Sequence, residues 1–361
     1  MAALPLGLSG VQAPGVPASR GRLVPEPGYG TDLVGHIQCA PRPLKKQVAS
    51  TTWVSNCVTQ VRFIPVWHPE TMTSKEKPPP TVARWVLARE LRRLRGDRSF
   101  TGVAKAIRSQ GSSLARWESG KADGQVPGVH SLERLLAHYG VGEEEADRLM
   151  DLRDVARTPG WWQGRDIGRP YGTFIGLEAA ADDVAAYESQ IIPGLLQTEE
   201  YARAVIRAVS APERVRSEEV ADRVAVRMRR QQDWIARRTP HLWAIVAESA
   251  LRSRVGGPDV MRGQLTHLLA LAEEEDLLTF QVLPLDTGAH AAMEISSFAL
   301  IEVADAGLSS VYVEGPTADI FMDDSGDVTT YRRVTEHLRK AALSGPASRA
   351  LTSKILEDLP S

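Results

Sequence analysis

Residues 81–157 constrain the fold most, because helical periodicity there is cut into short lengths by stop signals. Through "TVARWVLARELRRLR" the apolar residues Trp85, Ala88, Leu91 and Leu94 recur at helical spacing, with arginines around the outside, until Gly96 ends the run. "FTGVAKAI" follows, with Thr101 as a helix-capping residue type and Val103, Ala104 and Ile107 as its apolar side; "SQG" at 109–111 breaks it. "SLERLLAHYG" sets Leu132, Leu135, Leu136 and Tyr139 on one side, with Ser131 as its cap and Gly140 as its stop. Glu143, Glu144 and Glu145 suit the positive end of one more helix, which runs towards Pro159. With "GSSLARWESGK" between them, these segments predict an all-helical, five-helix domain over 81–157.

The flanks read differently. Residues 1–80 show no sustained period and many Gly and Pro, and both cysteines of the chain, Cys39 and Cys57, lie there. They are expected to be a disordered leader; the alternative for residues 1–71 is an untranslated stretch before a natural start at Met72. Beyond "TPGWWQG", whose Trp161 and Trp162 are expected to seat the linker, helical stretches at 177–189, 198–208, 213–237 and 259–274 alternate with β-like runs. These runs are "HLWAIVAE", "LLTFQVLP", "SSFALIEV" and "SSVYVEG", and a last amphipathic helix covers about 328–343. The fold class expected is mainly α: the helical domain, then an α+β domain over 160–361 with a small antiparallel sheet. Leu177, Val184 and Tyr187 form a helical stripe in this reading.

Net charge divides along the same line. Residues 81–140 hold 11 basic and 5 acidic residues, whereas 141–361 hold 24 and 36, although the whole chain carries only −2. That asymmetry is expected of a domain that meets a polyanion beside one that does not, and equally fits a solvated basic face. No run approaches the ~20 apolar residues of a membrane helix, and "MAALPLGLSG" lacks the basic start of a signal peptide, so the expectation is a cytoplasmic protein with no membrane partner.

Catalytic and cofactor signals are poor. There is no His-Glu-x-x-His and no Gly-x-Ser-x-Gly; Asp323, Asp324 and Asp327 in "DDSGD" read as an acidic turn before a helix rather than a cation loop. "GRPYGTFIG" (168–176) is glycine-rich but follows no strand, and Glu248 with Arg252 reads as a surface ion pair at i,i+4. Neither an enzyme nor a cofactor or metal site is expected.

"GSSLARWESGK" (111–121) carries the functional signal. As a helix it turns Leu114 and Trp117 inward and Gly111, Ser112, Ser113 and Arg116 outward. Small residues at its first turn let backbone approach phosphates, and an arginine one turn later can make a bidentate contact to guanine. With "LRRLR", "FTGVAKAI" and "LERLLAHYGV" around it, the segment resembles the repressor-type, xenobiotic-response-element (XRE) helix-turn-helix family. The family's R-x-E-x-G ending stands here as Arg116, Glu118 and Gly120; one departure is Gly102, where glutamine is common. The resemblance implies a structural ion pair between Glu118 and Arg95, a core place for Trp117, and double-stranded DNA as partner. Carried over, the DNA-binding set is Gln110, Gly111, Ser112, Ser113 and Arg116, with Arg92, Arg93 and Lys121 on phosphates.

"PGWW", "LEAAADDVAAYESQIIPGLLQTEEYARAVI", "RMRRQQ", "AESALR", "QVLP" and "VYVE" resemble the C-terminal domain of unknown function in antitoxin-like regulators of high-GC bacteria. This implies regulation through a small protein partner encoded nearby or through a ligand. "IIPGLLQT" (191–198) reads as core, with an exposed grip for a partner as the alternative. The expectation is a sequence-specific, homodimeric transcriptional regulator; the alternative is an antitoxin-like module that neutralises a small protein and uses DNA only for autorepression.

Overall fold

Helix α1 (Pro80–Arg95) begins on a proline, whose missing N–H would be unpaired there in any case, and stops at Gly96 in a positive-φ conformation (+54°). Its N-terminal half is buried nearly all round, from Thr81 to Ala88 with Arg84 the least covered. Two neighbours account for this: α5 (Glu143–Ala156) and α6 (Arg169–Glu178) both pack on it. The computed structural model describes residues 78–121, 124–165, 167–210, 216–315 and 318–360. The expected leader and the Met72 start lie outside the described residues as far as residue 77.

Between α1 and α5 run α2 (Phe100–Ala106), α3 (Gly111–Trp117) and α4 (Val129–Tyr139). The caps differ from expectation. Ser99, not Thr101, caps α2: its hydroxyl accepts the Gly102 N–H at 3.1 Å. Gly128 precedes α4, and Ser131 lies inside the first turn. Helix α4 stops at Gly140 in the left-handed conformation (+71°).

After α6 the chain forms β1 (Asp183–Glu188), α7 (Glu199–Ser210), α8 (Ser217–Arg237), β2 (His241–Ala247), α9 (Glu248–Arg252), α10 (Pro258–Leu271) and β3 (Leu278–Leu283). Then come β4 (Phe298–Val303), β5 (Leu308–Val313), β6 (Ile320–Met322), α11 (Ser325–Ala341) and α12 (Gly345–Glu357). The sheet is neither small nor purely antiparallel: it has six strands in the order β3-β2-β1-β4-β5-β6. β1, β2 and β3 run parallel, Asp183 facing His241 and Leu242 facing Leu278, while β4, β5 and β6 continue from β1 antiparallel. The reason is connection length. Parallel strands need long crossovers, which α7–α8 and α9–α10 supply, whereas β4 and β5 are joined by a tight turn at Ala304–Gly307.

The predicted helix over 177–189 is overturned. Leu177 lies in the last turn of α6, and Val184 and Tyr187 lie on opposite faces of β1. Tyr187 and Ala185 pack with Ile245, Phe298 and Leu300 under α11, while Val184 joins Ala244, Val246 and Ile301 on the other face. That second face opens into one apolar cluster that continues through Trp234 of α8 to Leu87, Leu91 and Leu114 of the helical part. T-shaped packing of Trp85 on Phe321 of β6, at 6.1 Å between centroids, belongs to this seam.

Buried polar groups fix the rest. Glu178 and Arg230 form a bidentate pair at 2.7–2.9 Å, almost wholly removed from solvent, with Tyr171 as a further partner. "IIPGLLQT" is core: Ile192, Leu195 and Leu196 are buried, and Gln197, Gln231 and Gln264 satisfy its backbone. Glu248 is not a surface residue either. One of its oxygens accepts from Arg252 at 2.7 Å and the other from the Leu285 N–H at 2.9 Å, so it ties β2's end to the loop after β3.

Candidate nucleic-acid interface

The α2–α3 corner is built on apolar residues from both helices. Val103, Ile107, Leu114 and Trp117 are buried, and Leu114 has no exposed surface. Full burial of one such leucine stabilises by roughly 1.5–3 kcal/mol, which seats this short helix despite its weak intrinsic stability. Arg108, with φ +54°, makes the bend, and Gln110 in extended conformation precedes α3. The side of α3 away from the core presents Gln110, Ser112, Ala115 and Arg116 as exposed residues, with Gly111 and Ser113 half-buried. Among the described residues no carboxylate pairs with Arg116.

The end of α3 is tied to α1. Arg95 Nε donates to both oxygens of Glu118 at 2.9 Å, Arg92 donates to the Glu118 carbonyl at 3.0 Å, and the Arg95 guanidinium lies 4.2 Å over the Phe100 ring. Burial pushes the Glu118 carboxyl above its ordinary value, and the Arg95 and Arg92 charges offset only part of that rise. Gly120 is needed by packing: a Cβ there would stand 2.7 Å from the Trp85 ring.

The residues expected on phosphates are placed differently from those of α3. Arg92 and Lys121 both face Asp323, at 3.8 and 3.6 Å, in the turn between β6 and α11. Arg93 pairs with Glu90 at 2.8 Å and with Glu145 of α5 at 2.6 Å. Nearby, Arg89 donates to the carbonyls of Ala306 and Gly307, in the β4–β5 turn. Thus Gln110, Gly111, Ser112, Ser113 and Arg116 are brought together on one surface, while Arg92, Arg93 and Lys121 are held in ion pairs. The acidic turn has two jobs: Asp323 meets those cations, and Asp324 caps α11 by accepting the Gly326 N–H at 2.8 Å.

Two cations beside α3 escaped the reading of the sequence. Lys105, in the last turn of α2, and Arg108, at the bend, are exposed and have no ion-pair partner among the described residues. Their signal was present in the basic count of 81–140, but only the bend shows that they flank α3.

The helix-turn-helix geometry is matched by a family model. The model of the helix-turn-helix domain covers residues 86–149, from the middle of α1 to the middle of α5. No curated protein and no solved structure matches the chain. Among the described residues no helix is long and apolar enough to cross a membrane. The sheet, its crossover helices, and the Glu178–Arg230 and glutamine network fall within a second match, over residues 171–354. Since that match spans just over half of its length, the chain belongs to the family defined by the domain of unknown function DUF5753.

Proposed function

We infer that the chain is a sequence-specific DNA-binding transcriptional regulator whose α3 lies in the major groove, with the sheet-bearing part as its regulatory domain. The observation that carries this reading is the division of α3: Leu114 and Trp117 fixed in the core, and Arg116 exposed and unpaired beside Ser112 on the other side. An arginine so placed suits a bidentate contact to guanine, worth about 1–3 kcal/mol of discrimination. Lys105 and Arg108 supply phosphate contacts next to it. Two neutralised phosphates give a slope of log K against log salt of about −1.8.

One helix of this length reads only a few base pairs, so the regulator acts as a homodimer on a twofold site. The regulatory domain then serves dimerisation, a small protein partner or a ligand, in the cytoplasm. The activity is binding, not catalysis.

Fluorescence anisotropy over a salt series tests the reading, with the full chain against DNA from its own upstream region and against scrambled DNA. Selective binding is expected, and Arg116→Ala should lower the selective affinity roughly 5- to 150-fold without changing thermal unfolding. Equal affinity of the wild type for both DNAs would sink the proposal.

A further inference from the structure

A cavity of about 680 Å³ lies where α1, the end of α5, the linker residues 160–165 and the start of α6 meet. That volume is in the range of sites for small organic ligands. Among the described lining residues the charge is one-sided: Arg84, Arg157, Arg165 and Arg169 are there, and no carboxylate is. Arg165 is balanced from outside the cavity by Asp222 at 2.9 Å. For Arg84, Arg157 and Arg169 there is no ion pair among the described residues.

Arg84 is the most telling of these. Its Nη2 donates to Thr173 Oγ1 at 3.1 Å, but its Nε is buried without any hydrogen-bond partner. Burial lowers the pKa of its guanidinium, and Arg169 lowers it further, so two like charges are held near each other with no ion pair to either among the described residues. A half-buried cation left in this way is destabilising unless a counter-charge completes it. The start of α6 adds to the same field. Gly168, at φ +68°, offers no side chain to cap the helix, whose first N–H groups and positive dipole end are at the cavity wall. This is the "GRPYGTFIG" segment, which has the backbone of an anion cradle without the strand of a phosphate loop.

The rest of the described lining is neutral and can hold an organic moiety. Gln125 and Gln163 offer amides, and Trp162 offers its ring; that ring is fixed by close contact with Gly160, Gly172 and Gly176, where any Cβ would lie within 3.0 Å of it. We propose that this junction cavity binds a small phosphate-bearing organic anion of nucleotide size, gripped by Arg84 and Arg169 with Arg157 at the rim. Two or more negative charges on the ligand match the three uncompensated arginines. Its occupant touches α1 and α6 at once, so it strengthens the seam between the helix-turn-helix part and the regulatory part. Binding here is independent of whether α3 reads DNA.

The test is calorimetric titration of the full chain with ATP and with inorganic tripolyphosphate, both in EDTA, against sodium chloride at matched ionic strength. Saturable binding of at least one probe is expected, with a rise in Tm. Arg169→Gln, at an exposed position that leaves the core intact, should weaken it roughly tenfold or more, as should Arg84→Met. Arg116→Ala should leave it unchanged. No saturable binding of either probe would overturn the proposal. So would binding that survives both cavity variants, or that is lost with Arg116→Ala, because the polyanion would then be resting on the face of α3.

Discussion

Helix α3 and the C-terminal half of α1 both come from the most basic stretch of the chain, yet their cations are in opposite states. On α1, Arg89 is taken by the Ala306 and Gly307 carbonyls, Arg92 by Glu118 and Asp323, and Arg93 by Glu90 and Glu145. On α3, Arg116 is exposed and unpaired among the described residues. Positive charge in sequence is therefore a poor guide to which arginines meet a polyanion. What separates the two helices is packing: α1 lies between α5, α6 and the end of the sheet, whereas α3 is covered on one side only. The cations in the C-terminal half of α1, unlike Arg84, find carbonyls and carboxylates in the seam, and Arg116 on an outer face keeps its charge for a partner.

The seam rests on a close approach of α1 to α6, and breaking it gives the largest effect. A Cβ added at Gly176 would lie 2.0 Å from Thr81 Oγ1 and 2.7 Å from Thr81 Cβ, both on a helix that cannot give easily. Gly176→Ala should destabilise by about 1–3 kcal/mol, read as a fall of several degrees in Tm. Adding Thr81→Ala should recover part of the loss, since the nearest atom is then gone. If Gly176→Ala melts like the wild type, α1 and α6 are not held as tightly as the contrast between α1 and α3 requires.

Much of the helical part was legible, because a 3.6-residue period with glycine stops is a local signal. Leu114 and Trp117 are inward and Arg116 outward as their spacing dictates. Local signals misled where tertiary context decided. In "DVAAYE", Val184 and Tyr187 are three residues apart, which imitates a helix stripe, but the segment is a central strand covered on both faces. The parallel half of the sheet was foreshadowed by the helices between the β-like runs, whose lengths suit crossovers better than hairpins. α12 was not foreseen. At the candidate interface, the ion pairs of Arg92 and Lys121 were beyond reach, because their partner Asp323 is some two hundred residues away in the chain. Ser99 outcompeted Thr101 as a cap for a local reason: Gly102 leaves room for the Ser99 hydroxyl, which a Cβ would approach to 2.9 Å.

Asp323 offers a finer way to erase the difference between the two helices. Asp323→Asn removes the carboxylate that Arg92 and Lys121 share at 3.6–3.8 Å. These long, partly exposed pairs contribute little to stability, about 0–1 kcal/mol, so Tm should hardly move. DNA binding should change more. With two more cations free for phosphate, the salt slope should steepen by about 1.8, from near −1.8 towards −3.6, and affinity at low salt should rise. An unchanged slope would mean that Arg92 and Lys121 stand away from DNA whatever their partner, and that the contrast between α1 and α3 is one of position, not of pairing.

The smallest effect concerns Glu118, the residue that joins the two helices. Its carboxyl is buried against Arg95, and burial outweighs the favourable charge, so its folded-state value lies above the ordinary 4.5. The sign follows from linkage. A carboxyl with a raised folded value binds its proton more tightly in the folded chain, so its contribution to stability is fully present below 4.5 and is lost as pH rises through the folded value. Glu118→Gln cannot titrate and should lack this trend. The Tm of the variant, measured relative to the wild type, should therefore drift upwards as pH increases from 4.5, even though the variant weakens the bond to Arg95 at every pH. Should the gap instead drift downwards, Arg95 more than offsets the burial of Glu118. The tie between α1 and α3 would then be a net source of electrostatic stability, not a packing constraint that carries a charge.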